Sequence, residues 1–246
     1  IKDATEQRVN GRTPEADSAL HHLERAKLLT ADSNWHRLID ADIKYVNWDE
    51  RNIWGSVLRD SANALATSAK FTQAAEIYDQ LLNKVLRTQR AKDDVKWDYA
   101  TIEYAKLKRR ASAVARLGEV INTIAKDSSG APVDTTYNNM FENYGAMCHY
   151  LGVDTMKVNR KVAYEYFERA AAIAWKERGK SYLNMAELTK TNIELSLKHA
   201  ENAVAWERLF NTEEKKMIYR LLAEAYRRKN QPDKARLYFD KFRELQ

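Results

Sequence analysis

The chain reads as an all-α protein, and three observations lead there. Of 246 residues only 7 are Gly and 3 are Pro, so residues that break helices or turn the chain tightly are scarce. Ala, Leu, Glu, Lys and Arg, which lose least on entering a helix, dominate the composition. Apolar residues recur three, four and seven apart, the spacing of one helix face, and strict apolar/polar alternation is absent.

The elements can be taken in chain order. "TPEADSALHHLERAKLL" opens on Thr13, Pro14 and Glu15, a cap and first turn, and continues with Ala19, Leu20, Leu23, Ala26 and Leu29 as a helical stripe. "WHRLIDADIKYVNW" predicts a second helix, and the two are expected to pack as an N-terminal pair on the first clear repeat. That repeat is "LRDSANALATSAKFTQAAEIYDQLL", which sets Leu58, Ala62 and Leu65 against Phe71, Ala74, Tyr78 and Leu81 across a polar break. "WDYATIEYAKLKRRASAVARLGEVI" is a looser version of the same pairing. The strongest break is Asp127 to Pro132, read as a long turn between repeats. "YGAMCHYLGVDTMKVNRKVAYEYFERAAAIA" and "SYLNMAELTKTNIELSLKHAENAVAW" predict two further helix pairs. The last is "YRLLAEAYRRKNQPDKARLYFDKF", where Tyr219, Leu222, Ala223 and Tyr226 face Ala235, Phe239 and Phe242 across Asn230, Gln231 and Pro232. Residues 1–50 are therefore read as N-terminal helices and 51–246 as a helical array.

Composition narrows the function classes. A hydrophobic share of 44% excludes intrinsic disorder, and no apolar run approaches the ~20 residues of a membrane helix. The first residue is Ile, which fits a processed form or a fragment, and the lone Cys148 fits a reducing compartment or a secreted protein without bridges. The net charge of +6 comes from 41 basic residues interleaved with 35 acidic ones. Interleaving of this kind disfavours nucleic acid as the partner and favours an acidic protein segment.

Candidate chemistry is sparse. His36 and Asp40 lie one turn apart near Asp42, yet two side chains do not make a metal site. His21, His22 and Glu24 lack the His-Glu-x-x-His order of a metallopeptidase helix. Cys148 and His149 are adjacent and diverge by about 100° on a helix, so they do not form a nucleophile and its base. Cys148 is expected in the core, most tryptophans on packed stripes, and Trp48 and Trp54 partly exposed. Neither a cofactor nor a metal is implied.

The step of twelve residues from Ala62 to Ala74 recurs from Ala223 to Ala235. With Leu58, Leu65 and Tyr78 matched by Tyr219, Tyr226 and Phe239, both units resemble the tetratricopeptide repeat, in which small residues let paired helices approach closely. The unit with Leu151, Gly152 and Val153, then Ala163, Tyr166, Phe167, Ala170 and Ala171, resembles the related Sel1-like repeat. The resemblance covers roughly residues 50 to 246.

This resemblance implies a right-handed α-solenoid whose inner wall is lined by the first helix of each pair. The partner-contacting positions of the family fall here on Arg59, Asn63, Asn139, Asn143, Arg178, Arg220, Glu224 and Arg227. Arg59 and Asn63 match positions that clamp a terminal carboxylate in some members, but Glu103 stands where the clamp wants asparagine. The implied function is a non-enzymatic scaffold holding a peptide or helix of another protein, with the four arginines lining one wall. The alternative is a sensor or regulatory portion of a larger regulator. Ala74 and Ala235 are both expected to be intolerant of a large side chain.

Overall fold

The computed structural model describes residues 14–30, 32–86 and 89–246, leaving aside some N-terminal side chains. It is all-α, and its only β feature among those residues is an isolated bridge between Lys126 and Pro132. The chain divides into two compact units, Ile1–Lys108 and Arg109–Gln246.

The first unit holds α1 (Pro14–Leu29), α2 (Ser33–Thr67), α3 (Phe71–Gln80) and α4 (Gln89–Ala105). Helix α1 begins at Pro14, while the expected cap residue Thr13 lies outside the described residues. Asp32 caps α2 by accepting the Asn34 amide at 2.7 Å.

Helix α2 is one uninterrupted element of 35 residues, where the sequence predicts two. The stretch between the expected helices has no proline, and its single Gly55 costs only ~1 kcal/mol in a helix, too little to stop a hydrogen-bond ladder packed on both sides of it. A methyl group on Gly55 would come within 3.1 Å of Leu86, so the glycine also admits the segment after α3. The expected stripe on α1 does not bury throughout: Ala26 and Leu29 are exposed, as are Trp35 and Leu38 on α2. The side chains of Trp48 and Trp54 lie outside the described ones.

The unit's core is Leu58, Ala62, Ala74, Ala75, Tyr78 and Leu81 of the α2/α3 hairpin, closed by Val95 and Tyr99 of α4. Between α3 and α4 the chain passes through a π turn, Leu81–Val85, which ends with the Leu86 amide on the Leu81 carbonyl at 2.9 Å.

The second unit runs α5 (Arg110–Thr123), α6 (Asn138–Met156), α7 (Arg160–Ala171), α8 (Arg178–Leu188), α9 (Ile193–Val204), α10 (Thr212–Arg228) and α11 (Pro232–Arg243). Each helix packs on the next in sequence, and α6 with α8 and α8 with α10 also touch, the local connectivity of a repeat array. Small residues set the closeness of these contacts. A methyl group on Gly145 of α6 would meet the Trp175 ring at 2.4 Å, and one on Gly179 of α8 would meet Trp206 at 2.3 Å.

The turn between α5 and α6 is fastened to the body of the unit. Asp127 accepts from the amides of Ser129 and Ala131 and from the Ser129 hydroxyl. These bonds, the Ser129 hydroxyl first, hold its carboxyl below the usual range. Gly130 sits at φ 82°, where an added methyl group would also strike the Ala172 carbonyl oxygen at 2.6 Å.

Candidate functional site

Helix α10 opens with a reciprocal capping box: the Asn211 side chain accepts the Glu214 amide and the Glu214 carboxylate accepts the Asn211 amide, each at 2.9 Å. One face of α10, with Ile218, Leu221, Leu222 and Ala225, enters the core of the second unit. Tyr219 and Tyr226 flank it and donate to Glu207 at 2.9 Å and Glu201 at 2.6 Å. Burial, reinforced by the bond to Glu207, pushes the Tyr219 phenol up to about 12, so it stays a donor at neutral pH.

The chain then reverses. The Gln231 amide bonds to the Tyr226 carbonyl at 3.0 Å and the Asn230 amide to the Arg227 carbonyl at 3.1 Å, with Asn230 at φ 54°. This is a Schellman cap, and asparagine is one of the few residues that takes the left-handed conformation readily. Pro232 supplies the fixed φ that suits a first helical turn.

Between α10 and α11 lies a groove of about 440 Å³. Ala223, Ala235, Phe239 and Phe242 form its apolar floor; Arg220, Glu224, Arg227 and Arg236 form its rim. Phe239 is 51% exposed, a high figure for a large aromatic side chain at the centre of a hairpin. Two of the rim arginines are held loosely, Arg220 approaching Glu187 and Arg236 approaching Asp240 only to 3.9 Å, whereas Glu224 accepts from Arg228 at 2.7 Å. Three arginines against one glutamate leave the rim positive.

The eight residues expected to contact a partner are placed differently. Arg220, Glu224 and Arg227 share this groove. Arg178 donates to the carbonyls of Ala171 and Ser129, both at 2.6 Å, and its guanidinium lies beside the Tyr182 ring, so it fastens the α5/α6 turn. Arg59 donates to Asp98 of α4 at 2.7 Å with Asp94 at 4.0 Å, and Asn63 accepts from the Tyr78 hydroxyl. Asn139 and Asn143 lie in the first turns of α6, exposed and half-buried respectively. The groove floor and Arg236 are site residues that the sequence reading does not single out. Their signal is present all the same: Ala223, Ala235 and Phe239 stand at repeat-packing positions, and packing positions need something to cover them.

The remaining candidates resolve into packing. His36 approaches the Thr30 carbonyl at 2.7 Å and Asp40 pairs with Lys27 at 2.5 Å, so the two do not share a ligand. Cys148 is fully buried, and burial pushes its thiol up to about 12, far from a reactive thiolate. His149, buried between Phe167 and Trp175, has Nδ1 3.0 Å from the Ser181 hydroxyl. Burial lowers it to about 4. Among the described residues no group of three or more His, Cys, Asp and Glu side chains is arranged to hold a metal ion. No helix among them is long and apolar enough to cross a membrane.

The first and last clear repeats share more than a spacing pattern. In the α2/α3 turn the Lys70 amide bonds to the Leu65 carbonyl at 2.8 Å and the Ala69 amide to the Ala66 carbonyl at 3.1 Å, with Ala69 at φ 61°. Those are the bonds of the α10/α11 turn at one constant offset along the chain, and every residue of the groove has a counterpart at that same offset. The chain is a helical repeat protein whose first and last hairpins are built on one plan.

No family model matches the chain, and a comparison with curated proteins finds no match. Among solved structures it is similar to a putative kinesin light chain with nearly identical TPR-like repeats from Podosopora anserina, at 18% identity and a TM-score of 0.36 over 77% of this chain and 93% of that one. A single-substitution form of that same protein matches at 18% identity and a TM-score of 0.37, over 78% of this chain and 93% of that one. BtubC (BKLC) from P. vanneervenii matches at 13% identity and a TM-score of 0.37, over 96% of this chain and 90% of that one.

Proposed function

We propose that the protein is a non-enzymatic adaptor that holds an acidic segment of another protein through the first helices of its repeats, with Arg220, Glu224 and Arg227 as the principal contacts. The observation that carries this reading is the α10/α11 groove, an apolar floor with a positive rim. Arginine suits the role because its planar fork pairs two carboxylate oxygens at once. Arg59 and Arg178, engaged within the fold, position the repeats in this reading. Asn63, Asn139 and Asn143 remain as secondary donors along the first helices.

The test is a selection of peptides from a random displayed library by the full chain. Enrichment of Asp- and Glu-bearing sequences is expected, and replacing both Arg220 and Arg227 with Ala should abolish it while leaving the circular dichroism spectrum and Tm nearly unchanged, since exposed charges add little stability. Enriched sequences without acidic bias, or enrichment indifferent to the double change, would overturn the reading.

A further inference from the structure

The α2/α3 hairpin shows what the α10/α11 groove lacks. Arg59, Ala62, Ala74 and Tyr78 stand at the positions of Arg220, Ala223, Ala235 and Phe239, behind turns with the same hydrogen bonds. In the first hairpin these residues are covered by α4. Val95 and Tyr99 join the alanines in one buried cluster, Tyr99 stacks on Tyr78 with ring centroids 5.5 Å apart, and Tyr78 is 0% exposed. Asp98 of the same helix accepts from Arg59 at 2.7 Å, and Asp94, one turn earlier, lies 4.0 Å from it. The covering helix thus carries two carboxylates four apart, each followed by an apolar or aromatic residue: Asp94, Val95, Asp98, Tyr99.

In the last hairpin the arginine and the alanine floor are retained, the aromatic is Phe239 at 51% exposure, and Arg227 and Arg236 stand where the first hairpin has Ala66 and Ala75. Open groove stands in place of the covering helix, and the rim carries more positive charge.

Resting on the adaptor reading above, we infer that the α10/α11 groove is a docking site for an amphipathic helix of another protein bearing carboxylates at i and i+4, each followed by an apolar or aromatic residue, seated as α4 is seated on the α2/α3 hairpin. Both carboxylates face Arg220 as Asp94 and Asp98 face Arg59, Arg227 adds positive charge further along the rim, and the apolar residues fill the space over Ala223, Ala235 and Phe239.

The molecule supplies its own probe. A fluorescent peptide of the α4 sequence, residues 89–105, held helical by a staple on its solvent side, is titrated into the full-length chain and followed by anisotropy. Saturable binding is expected. Arg220→Glu with Arg227→Glu should weaken it by about tenfold or more, as should Asp94→Asn with Asp98→Asn in the peptide, because each removes one side of the same charge pairs. Ala235→Trp, which fills the groove, should block binding while the chain remains folded by circular dichroism. Absence of binding to the wild-type chain, or binding unaffected by either protein variant, overturns the inference. So does a doubled mass in light scattering that Ala235→Trp returns to a monomer, which would make a second copy the occupant. If the stapled helix fails while the library still yields acidic peptides dependent on Arg220 and Arg227, the helical docking mode falls and the adaptor reading stands.

Discussion

Two hairpins of this chain, α2/α3 and α10/α11, are built on one pattern and end in opposite states. Both turn through a Schellman cap and both place alanine where the helices meet. In the first, Tyr78 is sealed under α4; in the second, the corresponding Phe239 faces open space beside Arg220 and Arg227. A repeat hairpin has two faces to bury, and its own sequence satisfies only one of them. The other face belongs to whatever lies against it. Covered by a helix of the same chain it becomes core; left open it is a surface that a partner can use.

The largest expected effect separates the two alanines that the sequence treats alike. Ala74 is 0% exposed in the buried cluster that α4 joins, so Ala74→Trp must push the packed helices apart and is expected to unfold the first unit, well beyond the ~1–3 kcal/mol of ordinary overpacking. Ala235 lines the groove, and Ala235→Trp should shift Tm by only a few degrees. Thermal melts followed by circular dichroism decide the matter; equal losses in both variants would mean the two hairpins are not covered differently.

Lowering the pH sharpens the contrast between sealed interior and open groove. His149, buried against Phe167 and Trp175, is lowered from its ordinary value of 6.5 to about 4. Between those values the unfolded chain binds a proton that the folded chain refuses, so stability falls as the pH drops from 6.5 towards 4 and levels below it. The full loss is on the order of 3 kcal/mol. Burial also lowers His199, which adds in the same direction. Urea midpoints at pH 7 and pH 4.5 measure the drop, and His149→Gln should remove most of it.

The smallest effect probes the turns. Ala69 holds φ at 61° with a Cβ that disfavours it, whereas Asn230 at φ 54° is a residue that tolerates this region. Ala69→Gly is therefore expected to stabilise the chain by up to about 1 kcal/mol and Asn230→Gly to be close to neutral, read as Tm shifts. A reversed order would show that the two turns do not carry the same strain.

Much of this architecture is legible in the residues. The periodicity of Leu58 to Leu81 and of Tyr219 to Phe242 gives the helices, their pairing and the alanines at their crossing, because local spacing decides which side of a helix is apolar. The scarcity of Gly and Pro gives the all-α class. Other features depend on contacts remote in sequence. The continuity of α2 past position 50 requires packing to outweigh the weak signal at Gly55. The engagement of Arg178 with the carbonyl of Ser129, and of Arg59 with Asp98, cannot be read from helix position, since an arginine at a repeat's first helix looks the same whether its partner is a distant part of its own chain or another molecule. The same holds for Tyr78 and Phe239. Spacing marks both as apolar at the same place in the repeat, and only the arrangement of helices in space decides that one is buried by α4 and the other left facing water, because burial depends on what lies opposite a side chain and not on the residues beside it.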